Sequence, residues 1–365
     1  MKILILAGEE SGVLYARQIR DAVLRRRPEA EIRGYEDYGF KTDDLAVMGV
    51  GQVLKKLFYF LGVKKTMERA IDGWKPDAVC TVDYPGMNLK LAAHAKAKGI
   101  RTVHVVCPQV WAWKRGRIPK IEASADRLCC FFPFEPALFK PGFAEFVGHP
   151  LVDAFASEAK GLDEQRRGRT LALLPGSRLG EIEKHLPTLV EVVETLQREI
   201  PELKAVIPAA NDRAYEKIQV ILGALGAGRQ AHCTVQRGGA REVLRRADAA
   251  VVASGTATLE AALAECPTVL VYRVGWFFAF LARRLIRGIR HVGLANVIAE
   301  KAGVPCPMPE LLQEAFTAEN VLSHLRPWLA DPVANAAARL SLRETMRLLR
   351  SDGGAIDRIV SFILV

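Results

Sequence analysis

The stretch from Ala249 to Tyr272 constrains the fold of this chain more than any other. Ala249–Ala253 is a short apolar run, which is typical of a strand buried on both faces of a parallel sheet. Strong helix formers follow a glycine-bearing turn, and Pro267 ends them before a second apolar run. The pattern predicts a strand, a helix and a second parallel strand, and therefore an α/β fold.

The turn inside this unit is Ser254-Gly255-Thr256, which is small and hydroxylated. Free backbone N–H groups at the positive end of a helix favour a bound phosphate. Glu260, about one turn further on, could accept hydrogen bonds from sugar hydroxyls. The alternative is that Ser254 or Thr256 only caps a scaffold helix, and the turn alone does not decide between the two.

A chain of 365 residues is long enough for about two domains. We expect an N-terminal α/β domain over residues 1–165 and a C-terminal α/β domain over residues 166–344. The polar stretch 161–169 is the expected linker, and a helix at about 345–365 could pack back on the first domain. Met1–Ala7 reads as a first strand and not as a signal peptide, and no apolar run approaches the ~20 residues that span a bilayer.

The net charge of +10 indicates an anionic partner. The chain lacks a basic tail or a basic-aromatic ribonucleoprotein signature, so we expect no nucleic acid. Its seven cysteines show no CxxC spacing. Reduced, buried thiols of a cytosolic protein explain them, and we expect no metal site.

The segment Val50–Arg69 departs from the pattern of an ordinary surface helix because it combines lysines with a broad apolar face. A membrane-interface helix fits this pattern, and a helix buried against the sheet is the alternative. The residues of the apolar face are Val53, Leu54, Leu57, Phe58 and Leu61.

Asp83 follows a buried strand, and the carboxyl end of a parallel strand faces the crevice where α/β folds bind ligands. It could act there as a general base, or it could cap the next helix. Further along, Trp111 and Trp113 stand beside Lys114 and could bind sugar, acyl chain or phosphate. They could equally form a core plug with a solvated rim.

Arg178 follows another strand, Leu171–Leu174, through the turn Pro175-Gly176-Ser177. Its side chain is expected at the same sheet edge as Ser254, since both follow carboxyl ends of strands. A guanidinium opposite a helix terminus outlines a pyrophosphate clamp.

Several motifs, in order along nearly the whole chain, resemble the lipid-A-disaccharide synthase family. Each motif is modest alone, but the ordered set is specific. The matching stretches are Ala7–Gly12, Leu45–Gly49, Asp83–Asn88, Pro108–Trp113, Phe146–Pro150, Leu173–Arg178, Ala253–Glu260, Tyr272–Arg273 and Asn296.

The resemblance implies two Rossmann-like domains in the GT-B glycosyltransferase architecture, and no cofactor. It implies transfer of 2,3-diacylglucosamine from its UDP-linked donor to the 6-hydroxyl of 2,3-diacylglucosamine 1-phosphate. The products would be a β-1,6 disaccharide and UDP, with inversion at the anomeric carbon. Asp83 is then the expected base and Glu9 the competing carboxylate. The expected donor-binding residues are Gly176, Ser177, Arg178, Ser254, Gly255, Thr256, Glu260 and Asn296.

Both substrates are lipids, so the resemblance also implies an enzyme on the cytoplasmic face of the inner membrane, with an anionic membrane surface as partner. Related enzymes can exchange C-terminal domains, and the aromatic stretch Trp276–Phe280 could support a homodimer.

The chain departs from the family pattern at Val13, where the family usually has Asp, at Pro85-Gly86-Met87, where it often has Pro-Asp-Phe, and over residues 34–40. These departures leave the acceptor less defined than the donor. Another UDP-sugar enzyme of the same fold is the alternative, such as the peptidoglycan N-acetylglucosaminyltransferase or a UDP-N-acetylglucosamine epimerase. A non-catalytic lipid- or anion-binding protein is a third interpretation.

Overall fold

The computed structural model describes residues 1–8, 10–40, 57–158, 169–226, 232–275 and 290–365, without the side chains of residues 10, 11, 57 and 156–158. Glu9, Val53, Leu54 and Trp276–Phe280 therefore lie outside the described residues, as does the side chain of Leu57. The chain divides into two compact units. Unit 1 is Met1–Asp153 with Leu349–Val365, and unit 2 is Ala154–Leu348.

Each unit is built around a parallel sheet, and the two sheets contain twelve described strands. The strands are β1 Lys2–Ala7, β2 Glu31–Arg33, β3 Ala78–Val82, β4 Arg101–Val105, β5 Arg127–Cys130, β6 Ala144–Phe146, β7 Thr170–Leu174, β8 Lys204–Ala209, β9 Cys233–Arg237, β10 Ala249–Ala253, β11 Thr268–Tyr272 and β12 Glu310–Leu312.

Helices connect these strands, as parallel pairing requires. The described helices are α1 Glu10–Arg26, α2 Leu57–Trp74, α3 Pro85–Ala97, α4 Ile118–Ser124, α5 Pro150–Glu158, α6 Leu179–Glu199, α7 Asp212–Ala224, α8 Ala240–Arg246, α9 Thr256–Leu263, α10 Leu294–Ala302, α11 Ala318–Ala330, α12 Pro332–Arg347 and α13 Ala355–Leu364. Several begin at side-chain caps: Asn211 accepts from the N–H of Ala214, and Asp331 accepts from that of Val333.

The sheet of unit 1 has the strand order β2-β1-β3-β4-β5-β6 in the described residues. Strand β1 pairs in parallel with β2 on one side and β3 on the other. Helices α1 and α13 cover one face, where Ile19, Ile359 and Ile363 are fully buried. Helices α2 and α3 cover the other face through residues such as Met67 and Leu91.

The sheet of unit 2 has the order β12-β11-β10-β7-β8-β9 in the described residues. Strand β7 pairs in parallel with β10 and with β8. Helices α6, α7 and α11 contribute to a continuous apolar core on one face that includes Leu189, Ile218 and Val321. Two parallel sheets with helices packed against them confirm the predicted α/β class with two Rossmann-like domains.

The order of strands reverses once in each sheet, between β1 and β3 in unit 1 and between β7 and β10 in unit 2. Crossovers leave in opposite directions at such a point, so a crevice opens outside the carboxyl ends of the two strands. Ligand-binding residues of each unit are therefore expected in the turns that follow these four strands. Among the helices of the described ranges, none combines the length and apolarity needed to cross a membrane.

His104 makes the folding of unit 1 sensitive to acid. Its side chain is fully buried on β4, with Nδ1 2.7 Å from the Thr81 hydroxyl. Burial lowers the pKa of His104 to about 3. Between that pKa and the ordinary value the unfolded chain binds a proton that the folded chain does not, so stability falls as pH falls.

We predict that, as the pH falls from 7 to 5, the contribution of His104 lowers the free energy of unfolding by about 2 kcal/mol. Urea unfolding at both pH values checks this, with His104→Gln as the comparison. The wild type should lose more stability than the variant over this interval. Equal losses would show that His104 does not set the acid sensitivity.

Candidate functional site

At the reversal point of unit 1, Asp83 and Tyr84 both adopt left-handed backbone conformations, with φ of 50° and 51°. Residues other than glycine rarely adopt this region, at a cost of order 1–3 kcal/mol each. The pair stands between the end of β3 and the start of α3, where Pro85 begins the helix with its fixed φ. Strain of this kind is concentrated at functional sites.

Two glycines make room for this pair: Gly8 lies in the turn after β1, and Gly12 lies in the first turn of α1. A Cβ atom on Gly8 would lie 2.4 Å from Cδ1 of Tyr84, which is far inside van der Waals contact. A Cβ atom on Gly12 would lie 3.3 Å from the carbonyl oxygen of Val82 and 3.6 Å from Cβ of Asp83. These two glycines therefore allow close packing of the first strand–helix unit against Asp83 and Tyr84.

The Asp83 carboxylate is partly buried, and its Oδ1 accepts a hydrogen bond from the N–H of Tyr84 at 2.8 Å. Burial raises the pKa of Asp83, and the Tyr84 N–H opposes this shift in part. A carboxylate with a raised pKa is a better proton acceptor, provided that it remains ionised. Asp83 does not cap α3, which was the alternative. The N-cap residue of this helix is Tyr84, and the helix begins without a side-chain cap.

The structure assigns different environments to the two tryptophans that follow β4. Trp111 is 5% exposed and donates from Nε1 to Oε1 of Glu135 at 3.1 Å, so it forms the core plug. Trp113 is 45% exposed, and the Nζ of Lys114 lies 4.4 Å from its ring centroid. Only Trp113 is therefore placed to meet a ligand or a surface.

Beneath Trp111, Cys107, Cys130 and Glu135 place a possible ligand atom each within 4.8 Å of one another, and all three are buried. Both carboxylate oxygens of Glu135 already accept hydrogen bonds, from Trp111 and from the N–H of Phe132 at 3.1 Å. Burial raises the pKa of Glu135 to about 8. These two hydrogen bonds fix the Glu135 carboxyl group beside the two cysteines.

At the reversal point of unit 2, the turn after β7 brings Gly176 and Arg178 against the start of α6. Gly176 has φ 119°, and a Cβ atom there would lie 2.6 Å from Oε2 of Glu181. Arg178 Nη1 donates to Oε1 of Glu181 at 2.9 Å, and 61% of the Arg178 side chain is exposed. The guanidinium is therefore held by the Glu181 carboxylate while most of the Arg178 side chain faces solvent.

The neighbouring turn after β10 contains Ser254, Gly255 and Thr256. Helix α9 begins at Thr256 with Gly255 as its N-cap residue, and no described side chain caps it. The Ser254 hydroxyl instead contacts the carbonyl oxygen of Val292 at 3.4 Å. The scaffold-cap alternative is therefore not observed, and the first backbone N–H groups of α9 lack a side-chain partner from the described residues.

Glu260 and Asn296 are engaged within unit 2. Oε1 of Glu260 accepts from Nε of Arg241 at 2.8 Å. The Asn296 amide is buried and donates to the Met308 carbonyl oxygen at 2.7 Å and to Oε1 of Glu310 at 2.9 Å. Direct binding of a donor by Asn296 stays a prediction; its observed contacts fix the segment that follows α10, at Met308 and Glu310.

Sequence reasoning missed His185, which joins two turns at this edge. Its Nδ1 lies 2.7 Å from the Pro175 carbonyl oxygen, and its Nε2 accepts from the N–H of Arg273 at 2.9 Å. This pairing requires the neutral ring with the proton on Nδ1. Burial lowers the pKa of His185, which favours the same form. A lone histidine inside a helix offers no sequence signal for this role.

Sequence comparison identifies relatives over the whole chain. A family model described as lipid-A-disaccharide synthetase matches residues 3–351. A lipid-A-disaccharide synthase of Chromohalobacter salexigens is 35% identical and covers 99% of this chain and 97% of its own length. The lipid-A-disaccharide synthase of Syntrophus aciditrophicus is 34% identical, over 97% of this chain and 94% of its own length. That of Myxococcus xanthus is 35% identical, over 100% of this chain and 97% of its own length.

Solved structures with the same fold are more distant in sequence. The glycotransferase of kitacinnamycin aligns with a TM-score of 0.66 at 15% identity, over 99% of this chain and 98% of that one. The UDP-GlcNAc 2-epimerase from Neisseria meningitidis bound to UDP-GlcNAc aligns with a TM-score of 0.63 at 12% identity, over all of both chains. At these identities the likeness shows the fold alone, which is the two-Rossmann-domain GT-B architecture.

We predict that Gly8→Ala lowers the free energy of unfolding by about 1–3 kcal/mol, because the added methyl group overlaps the Tyr84 ring. Denaturant unfolding of the purified variant checks this. Gly62→Ala is the matched control, since a Cβ atom there meets nothing within 4 Å on helix α2. The control should be neutral or more stable by up to about 1 kcal/mol. Equal stabilities of the two variants would contradict the close approach.

Proposed function

The chain belongs to the lipid-A-disaccharide synthase family of glycosyltransferases, and we propose that it joins UDP-2,3-diacylglucosamine to 2,3-diacylglucosamine 1-phosphate. The family uses a UDP-sugar donor and a sugar-phosphate acceptor. The proposed products are the β-1,6 disaccharide 1-phosphate and UDP, with inversion at the anomeric carbon. The family match over residues 3–351 carries this proposal.

Asp83 is the proposed base. An inverting transfer needs a group that takes the proton from the acceptor hydroxyl as its oxygen attacks the anomeric carbon. The raised pKa and the position at the reversal point of unit 1 support Asp83 in this role. Glu9 remains the competing carboxylate and lies outside the described residues.

Two adjacent turns of unit 2 are the proposed donor site. Gly176, Ser177 and Arg178 would meet the diphosphate together with the uncapped start of α9 at Ser254-Gly255-Thr256. The exposed guanidinium and the backbone N–H groups would stabilise the negative charge that UDP gains on leaving. Glu260 is the proposed partner of the ribose hydroxyls, and Arg241 fixes its orientation. Asn296 remains a proposed donor-binding residue near this edge.

One edge of unit 1 is the proposed membrane contact. Phe58 is 85% exposed and Leu61 54% exposed near the start of α2. The far end of α2 leads into the amino end of β3, so Phe58 lies towards the carboxyl edge of the sheet. Trp113 follows β4 at this same edge, next to Lys114. Exposed apolar side chains among basic residues fit an anionic lipid surface.

This contact would hold the enzyme on the cytoplasmic face of the inner membrane, where its lipid substrates lie. Val53, Leu54 and Leu57 are proposed to extend the apolar face. A homodimer that involves Trp276–Phe280 remains a proposal about residues outside the described ranges.

We predict that Asp83→Asn lowers turnover of the two proposed substrates by at least about 100-fold, because the amide cannot accept the proton. Release of UDP and formation of disaccharide are measured together in detergent. Disaccharide from the wild type alone would support both the reaction and the role of Asp83. UDP release without disaccharide would indicate a different acceptor, and wild-type turnover by the variant would exclude Asp83 as the base.

We predict that Phe58→Glu with Leu61→Glu lowers partitioning onto anionic phospholipid vesicles by at least about tenfold. Replacing each apolar side chain by Glu removes about 1.5 kcal/mol or more of the free energy gained by burying it in lipid. A loss of about 1.4 kcal/mol lowers the partition constant tenfold. Co-sedimentation without substrates measures this.

Val220→Glu with Val333→Glu is the control for the added charge, since these side chains are 66% and 76% exposed on unit 2. The control gains the same two negative charges without losing an apolar side chain from α2. We therefore expect it to lose less vesicle binding than Phe58→Glu with Leu61→Glu. Equal loss in both double variants would assign the effect to net charge, and unchanged binding of the first would exclude α2 from the membrane contact.

A further inference from the structure

Behind Asp83, a buried side-chain pair ties the backbone of β1 to the backbone at the end of β3. Asn88 is fully buried and Tyr35 is 2% exposed. Nδ2 of Asn88 donates to the carbonyl oxygens of Leu6 at 3.1 Å, Val82 at 3.1 Å and Asp83 at 2.9 Å. Oδ1 of Asn88 accepts from the Tyr35 hydroxyl at 2.7 Å.

The orientation of the Asn88 amide follows from these partners. Carbonyl oxygens only accept hydrogen bonds, so the three of them must face the NH₂ group, whose two hydrogens they share. The remaining oxygen then faces the Tyr35 hydroxyl, which donates to it. No other arrangement of these groups satisfies every partner, and an apolar side chain at position 88 would satisfy none of them.

This network acts on the strained part of the site. Asp83 and Tyr84 hold φ values of 50° and 51°, and the Asp83 carboxylate contacts the Tyr84 N–H at 2.8 Å. Asn88 binds the carbonyl oxygens immediately before and at Asp83. It therefore holds the peptide groups whose orientation determines where the Asp83 side chain points.

We infer that Asn88 and Tyr35 are positioning residues for glycosyl transfer, which hold the Asp83 carboxylate in the orientation that takes the proton of the acceptor hydroxyl. The inference rests on the proposed function of Asp83. Both side chains are buried, so they act through Asp83 and not on the substrate. Tyr35 lies in the segment 34–40, which departs from the family pattern, and this contact gives that segment a role in the reaction.

Tyr35→Phe is the first test because it removes a single hydroxyl group. We expect kcat to fall by about tenfold, since small displacements of a reacting group cost rate steeply, while KM for the acceptor changes by less than about twofold. Asn88→Ala removes all four hydrogen bonds and should lower kcat further. Unfolding curves recorded for each variant establish the temperature at which it is fully folded, and kinetics are measured there.

Thr81→Val is the matched control. Thr81 is a buried residue of β3 whose hydroxyl lies 2.7 Å from Nδ1 of His104, so its removal also deletes a buried hydrogen bond of unit 1. It has no hydrogen bond to the Asp83 network among the described contacts. We expect the folded Thr81→Val variant to retain the kcat of the wild type.

A double-variant comparison separates positioning from a structural role. If Tyr35 acts through Asp83, Tyr35→Phe lowers turnover in the wild type but leaves the residual turnover of Asp83→Asn unchanged. The same loss in both backgrounds, or a comparable loss in Thr81→Val, would overturn the inference. Wild-type turnover by Asp83→Asn would instead overturn the proposed base itself. A severely impaired Asp83→Asn beside a fully active Tyr35→Phe would overturn only the positioning role.

Discussion

Burial of both faces of a parallel sheet is the constraint on which the rest of the structure depends. All side chains of β3 and of β10 are buried, so helices must cover the sheet on each side. Parallel strands can be joined only through crossovers, and these run along the covered faces. The turns at the strand ends are then the places where polar groups can meet a ligand. Asp83 in unit 1 and the turns at Arg178 and Ser254 in unit 2 lie there because the strand order reverses beside them.

The two reversal points hold their polar groups by different means. In unit 1, Gly8 gives space to Tyr84, and the Asn88 amide binds the carbonyl oxygens around Asp83, so a strained backbone directs one carboxylate. In unit 2, side-chain hydrogen bonds hold the turns in place. Glu181 binds Arg178, and His185 links the turns after β7 and β11. A proton acceptor needs one defined direction, whereas a diphosphate needs several donors around it. The arrangement in each unit suits the proposed chemistry of that unit.

Long apolar runs were enough to predict the strands Met1–Ala7 and Ala249–Ala253 to within a residue, and the predicted α/β class and family are confirmed. The three-residue strands β2, β6 and β12 were not predicted, because a short, partly exposed edge strand has no long apolar run to mark it. For Trp111 and Trp113 the sequence left a core plug and a ligand contact equally open. The structure decided between these roles because Trp111 is buried and Trp113 is exposed. The indole N–H of Trp111 donates to Glu135, which is 24 residues away in the sequence. The individual roles of the predicted site residues remain predictions.

The sequence by itself determined the periodicity of strands and helices, the glycine-bearing turns, and the ordered motifs that indicate the family. These are local properties, set by side-chain volume, polarity and backbone freedom over a few neighbouring residues. Only the tertiary structure decided that Tyr35 meets Asn88 across 53 residues, that Arg241 takes one oxygen of Glu260, and that the Asn296 amide is used by Met308 and Glu310. Such pairs depend on which strands lie side by side. Strand order is fixed by packing and hydrogen bonding over the whole sheet, and no local pattern encodes it.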